Sequence, residues 1–579
     1  MQQYSKKQKD EILRSELDLE RATFLSHWRE LGDYILPRRP RFTVTDVNRG
    51  DRRNQKIIDS TATLAARTLK SGMMSGVTSP ARPWFRLTTP DFLLAENGTV
   101  KEWLSYVSDR MSAVFLKSNL YNVLPIIYGD MGVFGTAAMY CEEDFSGEVV
   151  RFTAFPIGSY MIANNAAGKV DTFVREFRLT VSQVIEKFGK KLPNGEIDFS
   201  NFSDHVKNLY QQNSRAAWID ICHVIRPNDE YNPNKLESKY KKYVSRYYKR
   251  GSAGGQANGS SFNNSDVYLS ESGYDYFPVL CPRWETSAED VYGTECPAMA
   301  ALGDIKQLQL GEKRMMQAID KMVNPPMVAP NSMKTSKSSI LSGDITYVDV
   351  REGMQGFRPA HEVSARIAEL EGKQGQLRDR IRRAFYEDLF LMLAASDRRT
   401  ITAREIDERH EEKLLALGSV LEQINQDLLD PLIDIIFDIM MRQGLLPPAP
   451  KELQGQPLKV EYISIMAQAQ KLIGLGGIER FFSFANQIVG VNPEALDKID
   501  LDQALDVYGD LTSLQPRIVR SDEMVEQIRA QRAQAQQAQR QAEALAQGAN
   551  AAKTLSETKL NQESVLDGMI QNARAGALV

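Results

Sequence analysis

The sequence predicts an α+β fold that is mainly helical. Helical apolar periodicity fills the first part of the chain, short alternating segments typical of β-strands follow from about Glu148, and long helical stripes return at Cys296. A chain of 579 residues is too long for one compact core, so we expect several domains or one elongated subunit with several parts.

Four helices are predicted ahead of the β region. In the first, apolar residues recur at helical spacing until Pro37 ends the pattern. The glycines of YGDMGVFGTAA indicate close packing or a bend near the end of the fourth. The four helices are expected over residues 9–36, 57–75, 100–117 and 121–138.

An antiparallel sheet with helices on one side is predicted from about Glu148 to residue 295. One helix, VSQVIEKFG, interrupts the strands. The segment GSAGGQANGSSFNNS has nothing to bury, which indicates a flexible hairpin tip. The expected strand segments are VVRFTAF, SYMIANN, TFVREFRLT, WIDICHVIRP, KYVSRYYKR, DVYLSES and YFPVLCPRWE.

Two long helices are predicted next. The first begins at Pro297, a residue favoured at the first helical position, and ends at Asn324-Pro325-Pro326. The strand-like pieces MVAP and ITYVDV separate it from the second, over about 361–391. Apolar stripes support both helices: Leu302, Ile305, Leu308, Met315, Ile319 and Met322 in the first, and Val363, Ile367, Leu370, Leu377, Ile381 and Phe385 in the second.

A polar loop, AASDRRT, precedes a third long helix. Thr402 and Glu405 form a capping box at its start, and it is predicted to reach about Arg442 with a kink at Pro431. At 1.5 Å per residue it spans roughly 60 Å. One face is lined by Leu417, Leu421, Ile424, Leu428, Leu432, Ile435 and Ile439.

The last part of the chain is predicted to be helical with little core. Residues 457–520 indicate several short helices and a possible strand, LKVEYIS. Residues 521–547 are rich in Ala, Gln and Arg but poor in large apolar residues, so a helix there is marginal on its own. We expect it to pack among copies of itself or to be partly disordered.

Composition argues against several classes of protein. The net charge of −4 disfavours a histone-like or sequence-reading DNA-binding protein. Four scattered cysteines without a CxxC pair indicate a reduced, intracellular protein. The first residues lack a secretory apolar region and no run of 18 apolar residues occurs, so we expect neither secretion nor a membrane span.

Catalytic, cofactor and metal sites are not expected. The sequence has no GxxxxGK[ST] loop, because GLGGIER lacks the lysine, and it has no HExxH or GxSxG motif. Cys222 and His223 are neighbours on a predicted strand, so their side chains point to opposite faces and cannot form a nucleophile–base pair.

The basic and aromatic segment KYKKYVSRYYKR, residues 239–250, has two interpretations. Interleaved Tyr and Lys can form a surface that stacks bases and binds phosphates. The same pattern fits an ordinary β-strand with one aromatic and one solvated face, and we favour this second interpretation.

Four segments, taken in their order, carry a resemblance to a known family: ILPRRPRF, IIDSTATLAARTLKSGMMSGVTSPARPWFRL, PRWETSAEDVYGTECPAMAALGDIKQL and TAREIDERHEEKLLALGSVLEQINQDLLDPLIDIIFDIMMRQGLLPP. They resemble the phage portal, or head-to-tail connecting, proteins of short-tailed phages. The resemblance runs through most of residues 10–445 and fades afterwards. It implies a homo-oligomeric ring, a dodecamer, around a DNA channel at one capsid vertex of the virion.

The resemblance also implies partners and a layout. Expected partners are double-stranded DNA passing non-specifically, the terminase large subunit, a head-to-tail adaptor, and major capsid and scaffolding proteins, with no membrane or cofactor and with assembly in the host cytoplasm. The order of elements fits a wing (1–295), a first stem helix (296–323), a clip (324–360), a second stem helix (361–391), a tunnel loop (392–401), a long wing helix (402–446), a crown (447–520) and a C-terminal helical barrel or tail (521–579).

Two pairs of basic residues are the candidate contacts. Arg398 and Arg399 lie on the polar loop before the capping box and are expected to face the lumen and contact DNA phosphates. The alternative is an ion pair with a neighbouring subunit or the stem. Lys334 and Lys337 in the clip are candidate contacts with the motor or the adaptor.

Two other functions remain open on sequence alone. A DNA-processing nuclease needs a cluster of carboxylates that holds metal ions. The other alternative is a different ring or tail protein of the virion, such as an ejection protein or a tail adaptor.

Overall fold

The structure is a computed structural model. It describes residues 5–46, 48, 50–91, 94, 97–145, 147–193, 196–250, 268–287, 289–323, 325, 327–328, 358–359, 366–396, 417–453, 455, 458–464, 481–485, 501–505 and 522–557.

Helices form most of the described chain. The first four lie at the N-terminal end, two short ones accompany the sheets, and the rest follow residue 296. In chain order they are α1 (Lys6–Tyr34), α2 (Thr61–Val77), α3 (Gly98–Lys117), α4 (Leu120–Phe134), α5 (Val181–Phe188), α6 (Asp204–Gln211), α7 (Pro297–Val323), α8 (Ile367–Ala384), α9 (Glu387–Ser396), α10 (Gly418–Ile424), α11 (Asp430–Arg442) and α12 (Asp522–Glu557).

The strands form antiparallel sheets, which confirms the predicted pairing. In chain order they are β1 (Phe85–Thr88), β2 (Ala138–Asp144), β3 (Val149–Phe155), β4 (Tyr160–Asn164), β5 (Val170–Thr180), β6 (Lys190–Lys191), β7 (Ile197–Asp198), β8 (Trp218–Pro227), β9 (Tyr243–Lys249), β10 (Ser270–Tyr274), β11 (Val279–Leu280), β12 (Met327–Val328), β13 (Arg358–Pro359) and β14 (Lys459–Tyr462). The larger sheets have the orders β10-β9-β8-β5-β4 and β11-β2-β3.

The β region differs from the prediction in three ways. It contains two larger sheets and the short β6–β7 pair rather than one sheet, and it begins at Ala138, because α4 stops at Phe134 instead of continuing to 138. Gly135 ends that helix with a φ of 75°, and a Cβ there would lie 2.9 Å from the Gly293 carbonyl oxygen. The sequence analysis also missed β1, which pairs with β14, and the short helix α6.

The predicted hairpin tip at 251–265 lies outside the described residues, as does ITYVDV. The strands that flank the tip, β9 and β10, pair antiparallel with Tyr247 opposite Ser270. LKVEYIS forms β14, as predicted.

The predicted single helix over 361–391 is wrong. α8 ends at Ala384, Phe385 and Tyr386 form a turn, and α9 continues to Ser396. Residues 392–396, predicted as the start of the polar loop, therefore belong to a helix. The break lets Phe390 pack against α2, where a Cβ on Gly72 would lie 2.1 Å from the ring.

The third long helix is described from residue 417, so the predicted capping box at Thr402 and Glu405 lies outside the described residues. All seven residues of its predicted apolar face are buried. At the predicted kink the helix widens into a π turn, Asn425–Leu429, just before Pro431. Pro431 has no N–H to donate, and a wider turn removes the need for that hydrogen bond.

One hydrophobic core connects the N-terminal helices, both larger sheets, and helices α7 to α11. Two smaller clusters lie apart from it. One lies beneath α5 and α6, and the other packs Leu17 of α1 against Val174, Val224 and Tyr248 of the five-stranded sheet.

A buried carboxylate attaches α1 to the five-stranded sheet. Asp10 is fully buried, and it accepts hydrogen bonds from Arg226 Nε at 3.1 Å, Arg246 Nη1 at 3.3 Å and the Tyr268 hydroxyl at 2.8 Å. Arg246 is itself buried and pairs both with Asp10 of α1 and, at 2.8 Å, with Glu271 of its own sheet, so Asp10 supplies the charge that connects the sheet to the helix.

We expect Asp10→Ala to destabilise the fold by about 2–4 kcal/mol, because it removes the buried carboxylate shared by Arg226 and Arg246 and leaves Arg246 with Glu271 alone. The matched control is Glu30→Ala on the same helix. Glu30 makes an exposed ion pair with Lys306 at 2.6 Å, and its loss should cost less than about 1 kcal/mol. Guanidinium chloride unfolding followed by tryptophan fluorescence measures both, and equal effects would contradict this account.

Candidate functional site

Helices α7 and α8 form an antiparallel hairpin. Asp304 near the start of α7 pairs with Arg380 near the end of α8 at 3.1 Å, and Gly311 lies beside Gln374. Beyond the helices, β12 and β13 pair antiparallel and continue the hairpin. The chain thus runs out along α7 and returns along α8.

The outer part of this hairpin projects beyond the core. The inner half of α7 is buried as far as Gln309, but none of residues 310–323 is buried, and on α8 burial begins only at Gln374. Fourteen helical residues span roughly 20 Å. Large apolar side chains are exposed along this projection: Leu310, Met316, Met322, Val323, Met327, Val328 and Leu370.

A polar clamp holds the hairpin where it leaves the core. The Gln309 side-chain oxygen accepts from the backbone N–H groups of Ile58 at 2.6 Å and Asp59 at 2.8 Å, and its nitrogen donates to the Asp59 carbonyl at 2.7 Å. Arg378 of α8 donates to the Asp59 carboxylate at 2.9 Å and also pairs with Glu312. One segment ahead of α2 therefore binds both helices.

At neutral pH, the charges of Asp59 and Arg378 favour the ion pair between them. Partial burial opposes the ionisation of Asp59, but hydrogen bonds from Thr61 and Arg378 outweigh it, so the pKa of the Asp59 carboxyl is lowered. The hydrogen bond to Asp59, acting against partial burial, raises the pKa of Arg378. Both groups are thus charged when the hairpin is anchored.

The turn after α8 determines how the chain leaves the hairpin. Tyr386 has a φ of 56°, a left-handed conformation that is costly for a side chain other than Gly or Asn. Its ring lies against Trp284 at a centroid distance of 6.4 Å, and α9 packs on α2. α9 is thereby fixed on α2, with Phe390 against Gly72.

The four residues predicted as contacts lie outside the described part of the structure. Arg398 and Arg399 follow α9 by two and three residues, and Lys334 and Lys337 lie between β12 and β13 in the sequence. Their predicted roles remain predictions.

A second buried ion pair connects the long helix to the sheets. Arg283 donates from Nε to Asp427 in the π turn at 3.0 Å and from Nη2 to the Gly168 carbonyl at 3.0 Å. Gln423 also donates to Asp427 at 2.8 Å. The π turn thus positions a carboxylate where the β4–β5 turn and the long helix meet.

Sequence reasoning missed the clamp and this ion pair. Gln309 was detectable in principle, because it is a polar residue directly after Leu308 on a helical apolar stripe. Asp59 and Arg378 are 319 residues apart and give no local signal.

The four cysteines and His223 are placed for packing. All four cysteines are buried, and burial raises the pKa of each thiol, that of Cys296 to about 12. Cys222 packs with Leu17, whereas His223 bonds Ser245 at 2.9 Å and stacks on Tyr247, so the two face opposite ways as predicted. No cluster of metal-ligating side chains occurs among the described residues.

The basic segment at 239–250 is a strand in the interior of the sheet. β9 lies between β8 and β10, and Arg246 is buried against Asp10. Lys239 pairs with Glu237, and Lys241 with Asp275. These pairings confirm the interpretation as an ordinary strand.

The Ala/Gln-rich segment forms one 36-residue helix, α12. None of its residues 524–546 is buried. Among the described helices, none is long and apolar enough to cross a membrane.

Comparisons with known proteins cover nearly the whole chain. A family model described as bacteriophage head to tail connecting protein matches residues 9–519. The chain is 46% identical over 573 residues to the portal protein of Salmonella phage epsilon15, covering 98% of this chain and 99% of that protein. It is 41% identical over 551 residues to a probable portal protein of Bordetella phage BPP-1, covering 95% of each. The similarity therefore continues past residue 445, where it was expected to fade.

The lowered pKa of Asp59 predicts a pH dependence. Its contribution is fully present above the ordinary aspartate pKa of 3.8 and is lost as the pH falls through the lower, folded-state pKa. Between pH 5 and 8, we therefore expect Asp59→Asn to destabilise the protein by about 1–3 kcal/mol.

Below about pH 4 the difference between the wild type and Asp59→Asn should shrink, which chemical unfolding at several pH values measures. Asp109→Asn, at an exposed aspartate of α3, is the control. A difference that persists unchanged below the folded-state pKa would contradict the role of the ionised clamp.

Proposed function

This chain belongs to the family of bacteriophage head to tail connecting proteins and is a portal protein, and we propose that it forms a ring whose central channel is built by the α7–α8 hairpin. The ring is a dodecamer at one capsid vertex of the virion, and it is assembled in the host cytoplasm. Double-stranded DNA passes through it during packaging and ejection.

The projecting hairpin is the observation that carries this proposal. Its outer part exposes a series of large apolar side chains that the subunit itself does not bury. A soluble protein seldom exposes such a series unless another surface covers it. If copies are arranged around an axis, the hairpins of neighbouring copies would lie side by side and cover these apolar side chains. The polar residues of the hairpin would then face the lumen and the solvent.

The layout follows from where the hairpin leaves the core. Residues 1–295 form the wing, 296–323 and 361–391 the stem, and 324–360 the clip. The tunnel loop, predicted at 392–401, would be confined to the residues after Ser396, because α9 continues to that residue. The long wing helix is 402–446, the crown 447–520, and 521–579 a helical barrel in which the exposed α12 packs among its copies.

The mechanism requires no catalysis by this chain. The terminase large subunit supplies the ATPase and docks on the clip during packaging, and a head-to-tail adaptor later takes the same place, with Lys334 and Lys337 as contacts. Major capsid and scaffolding proteins surround the wing. DNA of any sequence must pass, so the channel contacts the phosphate backbone weakly and at many points.

Imaging of the purified chain tests the proposed assembly. Negative-stain electron microscopy should show rings with a central hole of about the width of duplex DNA. A compact monomer at all protein concentrations would reject the proposal.

Arg398 and Arg399 are proposed to contact DNA phosphates from the tunnel loop. We expect the double substitution to Ala to leave the rings intact but to lower the yield of packaged genome, since each subunit loses two positive charges facing the DNA. The double substitution to Lys keeps the charges and is the matched control. Nuclease-protected DNA per particle measures the effect, and an unchanged yield in the Ala variant would refute the contact.

A further inference from the structure

Arg175, in the middle of β5, is a partly buried arginine without a carboxylate. Its guanidinium carbon lies 4.0 Å from the ring centre of Phe155 and 4.7 Å from that of Phe177. Nε is buried and has no hydrogen-bond partner, while the side chain as a whole is partly exposed. Within the described part of the chain, Arg175 makes no ion pair and donates no hydrogen bond.

Three other arginines, which are more deeply buried, differ from Arg175 because each has a carboxylate partner within the subunit. Arg21, Arg246 and Arg283 have side chains no more than 7% exposed, and each bonds a carboxylate. A buried guanidinium without an anion is costly, so its persistence indicates an acceptor supplied from elsewhere.

The surroundings of Arg175 add positive charge. Burial, together with the nearby charge of Arg41 and against the opposing effect of Tyr247, lowers the pKa of Arg175 to about 10. Lys187, whose Nζ lies 5.3 Å from the ring centre of Tyr247, is a second cationic neighbour. We call Arg41, Arg175 and Lys187, with the two phenylalanine rings, the Arg175 site.

Two titratable groups complete these surroundings. His223 lies opposite Arg175 on β8, and burial together with the charges of Arg175 and Lys187 lowers its pKa well below the ordinary value, so it adds no charge at neutral pH. Glu142 is an exposed carboxylate of β2 that acts on Lys187. The Arg175 site therefore keeps an excess of positive charge.

The long helix carries the complementary feature. Asp430, Asp434 and Asp438 are four residues apart and share one face of α11, which we call the acidic ladder. Burial and the neighbouring carboxylates Asp430 and Asp438 raise the pKa of Asp434. Asp434 is exposed, and it has no hydrogen bond or ion pair among the described residues.

The two features lie on opposite sides of the three-stranded sheet. Tyr140 and Glu142 of β2 face the five-stranded sheet, where Tyr140 contacts His223. Glu143 points the other way and pairs with Arg442 at the end of α11. The Arg175 site and the acidic ladder thus lie on different flanks of the subunit, as a head-to-tail contact between identical copies requires.

We propose that the acidic ladder of one copy docks against the Arg175 site of the next copy around the ring. Asp434 is the carboxylate that we propose reaches the guanidinium, whose carbon lies 4.0 Å from the ring centre of Phe155 and 4.7 Å from that of Phe177. The proposal rests on the ring assembly proposed above, and it adds a polar contact in the wing to the apolar contacts of the stem.

A side-chain carboxylate suits the Arg175 site better than a DNA phosphate does. The guanidinium is held between two rings with its Nε buried, so a single projecting side chain can reach it, whereas the phosphates of a duplex lie on a broad cylinder. The contact also pairs Arg175 with Asp434, neither of which makes an ion pair among the described residues of the isolated subunit. In such a heterologous interface, every copy uses both features once.

Charge exchange tests the contact directly. The full chain is purified as the wild type, Arg175→Glu, Asp434→Arg, the double variant, and an equimolar mixture of the two single variants. Ring formation is followed against protein concentration by mass photometry, with circular dichroism as a check on folding. Asp109→Arg, at an exposed aspartate of α3, is the matched control.

Each single variant should need a protein concentration on the order of 30-fold higher to form rings, as expected for breaking a buried charge pair. The double variant should recover, because every interface then joins the exchanged charges. The mixture should also recover by alternating the two variants. Asp109→Arg should assemble like the wild type.

Other outcomes overturn the contact. Single variants that assemble like the wild type would contradict the contact. A loss of assembly that neither the double variant nor the mixture rescues would contradict it as well. Intact Arg175→Glu rings with weaker binding of duplex DNA would assign the site to phosphate instead. A wild-type chain that stays monomeric would contradict the ring itself, whereas wild-type rings with unaffected variants would contradict only this contact.

Discussion

Burial ends at Gln309 on α7 and begins at Gln374 on α8, and none of the described residues of the hairpin beyond them is buried. A two-helix projection of this kind gains little stability from helix propensity, because helices in water depend mainly on packing of an apolar face. In the proposed ring, neighbouring copies would cover the exposed Met and Leu side chains of this projection.

The clamp holds the base of this projection on the N-terminal part of the chain. Asp59 lies directly ahead of α2, and α9 packs on the same helix through Phe390 and Gly72. The base of the α7–α8 hairpin and α9 are thus attached to α2 and to the segment directly ahead of it. The left-handed turn at Tyr386 is the point where the two helices change direction.

The apolar stripes of the long helices could be predicted from the sequence, because each stripe depends only on residues that are close together in the chain. All seven residues predicted on one face of the third long helix are buried, and α7 starts at Pro297 as expected. The break at Tyr386 could not be predicted, since EDLFLMLAAS continues a helical pattern and only its packing against Gly72 requires a turn. Gly135 had been noticed in the sequence, but its left-handed conformation depends on Gly293, which is distant in the chain.

Functional residues show the same difference between local patterns, which the sequence reveals, and contacts between distant residues, which it does not. The resemblance suggested a role for the Arg398 and Arg399 loop, whereas the polar contacts that the structure shows join residues far apart in sequence, such as Asp59 with Arg378 and Arg283 with Asp427. A conduit for DNA of any sequence has no reason to concentrate chemistry in one pocket. Its sequence must instead give each buried charge an opposite charge within the subunit. Charges on the flanks of the subunit can be paired with opposite charges on the next copy. Arg175 departs from the rule that the other buried arginines obey, and this departure is what a ring subunit would show when it is considered alone.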